Sequence, residues 1–134
     1  MGISEYLRSV GMEFREEKGE AWIYLEPRNL HHVLSQLKGM GFTRVSAISG
    51  TDEGKSITLI YHLFSEKYYV NIKVPVQKKS PEIETITGIY PGASLFEREV
   101  HEMLGVFFKG HPNMEMLFLN EDSPVNPLRK DQQK

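Results

Sequence analysis

Two neighbouring stretches of strict alternation limit what this chain can fold into more than any other feature. In residues 56–64 (SITLIYHLF), Ile57, Leu59, Tyr61 and Leu63 alternate with Thr58, Ile60, His62 and Phe64. After Ser65-Glu66, a turn-forming pair, Tyr68, Val70, Ile72 and Val74 again fall on one face. A strand turns successive side chains to opposite faces, so period two over such lengths describes two antiparallel neighbours with one face buried and one open. A helix would scatter the same residues around its axis.

The remaining elements arrange themselves around that pair. Residues 3–10 predict a short helix with Ser4 as its N-cap and Gly11 at its stop. Residues 12–24 predict a hairpin turning at Lys18-Gly19. Pro27 presets a helix start; Leu30, Val33, Leu34, Leu37 and Met40 then recur at helical spacing, until Gly39 and Gly41 end the run. A third strand is expected over 42–49, with a turn at 51–55 before the alternating pair. Residues 77–92 read as a connector bounded by Pro81 and Pro91, and a second long helix is expected over 93–104 with Gly105 at C′. The expectation is an α+β fold: a mixed, mostly antiparallel sheet of four or five strands with helices on one face, followed by a long irregular C-terminal tail. The domain is expected over 1–105 and the tail over 106–134.

Composition excludes several classes of function. The chain has 134 residues, enough for one domain with its own core. It has no cysteine, which removes disulfides, thiolate metal sites, iron–sulfur ligation and cysteine nucleophiles. A net charge of −2 gives no reason to expect nucleic acid or an anionic membrane as a partner. No signal peptide and no apolar run long enough to cross a membrane is expected, so any membrane association would come through partners. The glycine-rich nucleotide cradles are absent, as is an RNA-binding signature.

The last third carries the chemistry-bearing pattern. On the helix FEREVHEMLG, Phe96, Val100, Met103 and Leu104 form the expected docking stripe, and Glu97, Arg98, Glu99, His101 and Glu102 occupy the rest. Arg98–Glu102 and Glu97–His101 are i,i+4 pairs, so the charged side could be only a solvated face. It could also offer charged contacts to another subunit, for which an arginine fork is well suited. His101-Glu102 begins like the zinc motif HExxH, but Gly105 stands where the second histidine would be. Beyond the helix, Phe107, Phe108, Gly110, His111 and Pro112 lead into an apolar run of Met114, Met116, Leu117, Phe118 and Leu119, and Pro124 and Pro127 break the chain further. A long irregular segment this apolar needs a surface to lie against.

Together these residues resemble the 30 kDa subunit family of complex I, the C subunit of NADH-quinone oxidoreductase, and the related subunit of energy-converting membrane-bound NiFe hydrogenases. The resemblance rests on Glu97, Arg98, Glu99, Glu102, Met103, Leu104, Gly105, Phe108, Gly110, His111 and Pro112. The distal Pro127, Leu128, Arg129, Lys130 and Asp131 close the pattern, and Tyr61-His62-Leu63 and Tyr90-Pro91-Gly92-Ala93 also fit, so it spans about 27–131. Glu115-Met116-Leu117 and Ser123-Pro124-Val125-Asn126 depart from the respiratory pattern, which sits better with the hydrogenase-type relatives.

The resemblance implies a non-catalytic structural subunit in the peripheral arm of a membrane-associated oxidoreductase. Its partners would be the hydrogenase-like large subunit and the iron–sulfur small subunit. It would lie on the cytoplasmic, inner face of the cell membrane and support electron transfer, to quinone in some relatives, coupled to ion translocation. No catalytic, cofactor or metal residue is expected in this chain; iron–sulfur clusters and, in hydrogenase-type members, a NiFe centre belong to partners. The expected partner-binding residues are Glu97, Arg98, Glu99, Glu102, Phe108, Gly110, His111, Pro112, Pro127, Leu128, Arg129, Lys130 and Asp131. Two alternatives stand beside this reading: a metal-dependent enzyme using His101, Glu102 and His111, and a free adaptor domain.

Overall fold

A computed structural model describes residues 2–66 and 68–112. In chain order the elements are α1 (Ile3–Val10), β1 (Glu13–Glu17), β2 (Glu20–Tyr24), α2 (Pro27–Gly39), β3 (Arg44–Asp52), β4 (Ser56–Ser65), β5 (Tyr68–Gln77) and β6 (Glu82–Glu84). A 3-10 turn (Pro91–Ala93), α3 (Ser94–Leu104) and β7 (Phe107–Lys109) complete the order. The alternating stretches are β4 and β5, paired antiparallel from Ser56↔Gln77 to Ser65↔Tyr68. They lie in a five-stranded sheet of order β1-β2-β5-β4-β3. All its pairs are antiparallel except β2–β5, because α2 carries the chain across to the far edge and the β3–β4–β5 meander walks back to β2. The α+β reading with a mixed, mostly antiparallel sheet is what the structure shows.

One face of the sheet is the core. Ile57, Leu59, Tyr61 and Leu63 of β4 and Val70, Ile72 and Val74 of β5 are all fully buried. Leu7 of α1, Leu30, Val33, Leu34 and Leu37 of α2 and Val100 and Leu104 of α3 join them in one cluster. Each such side chain contributes about 1.5–3 kcal/mol relative to exposure. Helix α3 comes unusually close to β3: a Cβ on Gly50 would stand 2.6 Å from Leu104 Cδ1. Only glycine leaves that space empty. Gly105, at φ 77°, ends α3 at the expected position, and its N–H bonds the His101 carbonyl.

Several details differ from the sequence reading. Helix α1 begins at Ile3 with Gly2 as N-cap, so Ser4 is not the cap. Its hydroxyl instead donates to Glu16 Oε2 at 2.5 Å. Strand β3 starts two residues late because Phe42 is held elsewhere: its N–H bonds Leu37 O and its carbonyl accepts from the buried Tyr90 hydroxyl at 2.6 Å. The connector contains β6, and the segment expected as a tail from 106 begins inside the domain. Phe107–Lys109 is β7, parallel to β6, and Val106 and Phe108 are fully buried. Among the described residues no helix is long and apolar enough to cross a membrane.

Candidate partner interface where helix α3 meets strand β7

The stripe of α3 that faces the core is Ala93, Glu97, Val100 and Leu104, at i, i+4, i+7 and i+11. Phe96 and Met103, expected on that stripe, are only partly buried. Glu97 is therefore a core residue by position, and its side chain is fully buried. This corrects the expectation that it faces a partner. A buried carboxylate needs hydrogen bonds, and the connector supplies them. Thr85 Oγ1 donates to Glu97 Oε1 at 2.5 Å and the Ile86 N–H donates to Oε2 at 2.9 Å. Because Thr85 gives its only proton to Glu97, it accepts from Thr87, whose N–H lies 3.2 Å from Thr85 Oγ1.

His111 stands near the same carboxylate, closest to the Oε1 that Thr85 also reaches. Gly110, at φ 82°, turns the chain after β7, and the His111 N–H bonds Phe108 O. The imidazole Nε2 donates to the Ser94 carbonyl at 2.9 Å and stands 3.8 Å from Glu97 Oε1, with both side chains fully buried. Burial pushes the Glu97 carboxyl above the ordinary carboxylate range, opposed by the Thr85 and Ile86 hydrogen bonds and by His111. Burial also pushes the Tyr61 phenol well up, and the Glu97 charge adds to it.

The resemblance motif thus divides. Glu97 and His111 tie α3, the connector and the end of β7 together. Glu102 and Phe108 are fully buried, so Glu102 too lies inside the domain and not on an open face. Arg98 and Glu99 are half-buried off the core stripe, while Gly110 and Pro112 are exposed. Pro127, Leu128, Arg129, Lys130 and Asp131 lie outside the described residues. The sequence reading missed two exposed apolar side chains beside the motif, Leu95 on α3 and Phe107 on β7. The signal for Phe107 was the Phe-Phe pair itself, since a strand must send one of two neighbours outward.

The chemistry available here is recognition. His101 Nδ1 lies 2.9 Å from the Val106 carbonyl, to which it donates, and His111 Nε2 is engaged with Ser94. Among the described residues no three His, Asp or Glu side chains are grouped to hold a metal ion.

Comparison with known proteins gives the family. The family described as respiratory-chain NADH dehydrogenase, 30 kDa subunit, matches residues 23–134. The NADH-quinone oxidoreductase C subunit of Mesorhizobium japonicum is 37% identical over 84% of this chain, which spans 60% of that protein's length. The F(420)H(2) dehydrogenase C subunit of Methanosarcina mazei is 34% identical over 98% of this chain and 92% of its own length. A chain in the structure of the membrane-bound sulfane sulfur reductase, an archaeal respiratory membrane complex, superposes with a TM-score of 0.81 at 27% identity, covering 90% of this chain and 76% of that one.

Proposed function

The chain belongs to the respiratory-chain NADH dehydrogenase 30 kDa subunit family, and from that membership we propose that it is a structural subunit of a membrane-associated, complex I-like oxidoreductase. It has no reaction of its own. It sits in the peripheral arm on the inner face of the membrane and holds the hydrogenase-like large subunit in register with the iron–sulfur small subunit. The redox groups, iron–sulfur clusters and in hydrogenase-type complexes a NiFe centre, are carried by those partners. Its contribution to electron transfer and the coupled ion translocation is positional. Displacing a catalytic assembly by about 1 Å can cost on the order of 100-fold in rate.

The observation that supports this reading best is the Glu97–His111 joint. Two residues of the resemblance motif are consumed there: Glu97 holds α3 to the connector through Thr85 and Ile86, and His111 holds the end of β7 to α3 through the Ser94 carbonyl. That joint fixes the chain up to Pro112, the last of the described residues, and α3 and β7 themselves carry the exposed Leu95 and Phe107 and the half-buried Arg98 and Glu99. The segment 113–134, with Pro127, Leu128, Arg129, Lys130 and Asp131, then adds contact with the large subunit.

The test is assembly of the complex around a chain ending at Pro112. Loss of the large subunit is expected, and normal assembly and turnover would defeat the proposal. In the full-length chain, Arg98→Ala should weaken retention of the subunit in high salt. Unchanged retention would leave that side of α3 as a solvated face.

A further inference from the structure

The sheet face turned away from the helices carries a second organised surface. The registers place Tyr24 beside Lys73, Trp22 beside Asn71, Asn71 beside His62, and Tyr69 beside Phe64. Phe64 and Tyr69 are exposed by 36% and 48%, with ring centroids 4.6 Å apart. Four residues along β5, Lys73 Nζ lies 5.1 Å from the Trp22 ring centroid and 5.3 Å from that of Tyr24, and 3.4 Å from the Tyr24 hydroxyl. Two rings hold the ammonium in place by cation–π attraction.

This cation has no carboxylate partner among the described residues, and neither does Arg15. Both line one cavity of about 100 Å³ with Glu13, Trp22 and Tyr24. Glu13 pairs with neither cation, and Glu20 is occupied as the acceptor for Trp22 Nε1 at 2.7 Å. Between the cation and the ring pair the polar groups are also fixed. Asn71 Nδ2 donates to Ala21 O at 3.3 Å, which turns its Oδ1 toward His62 Nδ1 at 2.7 Å. His62 Nδ1 is then the donor, and Nε2 is left to accept from Ser49 Oγ at 3.2 Å. Asn71 itself is buried, and the groups it braces from below lose little freedom on binding.

We propose that this open face is a docking surface for a partner subunit's extended segment carrying a carboxylate and an apolar side chain about four residues apart. The carboxylate meets Lys73 and Arg15, and the apolar side chain lies on the Phe64–Tyr69 pair. Aromatics beside cations also suit single-stranded nucleic acid, but Glu13 and Glu17 of β1 and Glu20 of β2 disfavour a polyanion running along this edge more than one carboxylate seated between Lys73 and Arg15. The proposal rests on the chain being a subunit of a larger complex.

The experiment uses the purified complex with wild-type, Lys73→Glu, Arg15→Glu and Lys73→Arg chains, each checked for folding by its melting curve. The two reversals should dissociate about tenfold more readily or worse at low salt, and Lys73→Arg should be retained. Phe64 and Tyr69 should be shielded from hydroxyl-radical labelling in the wild-type complex. Reversals retained like wild type, or equal labelling in the complex and the free chain, would overturn this surface alone. So would Lys73-dependent binding of oligothymidylate by the free chain. A wild-type chain that co-purifies with no subunit of a membrane complex would overturn the subunit reading and this surface together.

Discussion

Glu97 Oε1 and His111 Nε2 stand 3.8 Å apart in the interior, one on the first turn of α3 and the other just past β7. Neither side chain of this acid–imidazole pair reaches water, and that bears directly on how stability responds to pH.

The Glu97 carboxyl is raised from 4.5 by burial. Just above that pH the folded chain still holds the proton and the unfolded chain has lost it. Stability from this group is therefore complete below pH 4.5 and is lost as pH rises through the raised value. Glu97→Gln should remove that downward slope while keeping an oxygen for the Ile86 N–H. Glu97→Leu should leave that N–H without its acceptor and cost about 1–3 kcal/mol. Urea unfolding across a pH series checks both.

Gly50→Ala should destabilise the fold by about 1–3 kcal/mol, because its Cβ must displace buried Leu104 in a filled core. The added atom would also stand 3.3 Å from Leu59 Cδ2. The urea midpoint should fall with an unchanged m-value. A midpoint equal to wild type would show that Leu104 swings aside freely.

The Tyr90 phenol is pushed up to about 12 by burial. It stays protonated in the fold after an unfolded tyrosine would ionise, so its contribution to stability is lost between pH 10.0 and about 12. Tyr90→Phe should remove one late step from the ultraviolet tyrosine titration, read as a difference from wild type. It should also cost about 1–3 kcal/mol by leaving the buried Phe42 carbonyl without its donor.

Phe108→Ala should cost about 3–5 kcal/mol, the usual figure for a fully buried aromatic. Phe107→Ala, on the outward side of the same strand, should stay within about 0.5 kcal/mol. Comparable thermal shifts for both would contradict the place of β7 in the domain.

The sheet was readable because β4 and β5 advertise it with side chains two residues apart, and α2 because Leu30, Leu34 and Leu37 return on one helical face. What escaped depended on partners distant in sequence. Strand β7 is bracketed by Gly105 and Gly110 and gains its identity only from β6, through pairs such as Ile83↔Phe108. Phe42 looked like the start of a strand until Tyr90 captured its carbonyl. Glu97 is more instructive. Its spacing to Val100 and Leu104 marked it as a core position, but its charge suggested the surface. The compensating Thr85 and Ile86 donors carry no local signature. Of the motif residues, the structure gives Glu97 and His111 a place inside the domain, where the sequence suggested contact with a partner.

The one parallel pairing within the five-stranded sheet, β2 against β5, gives that sheet a seam. On one side is a local hairpin and on the other a local meander, each closed by short turns. The link between them waits for residues such as Ala21 and Asn71, 50 apart in sequence, to meet. Closing so long a loop comes late in folding. During synthesis the hairpin therefore remains unattached to the sheet until β5 has emerged, and Trp22 and Tyr24 gain Lys73 beside their rings only when that link forms.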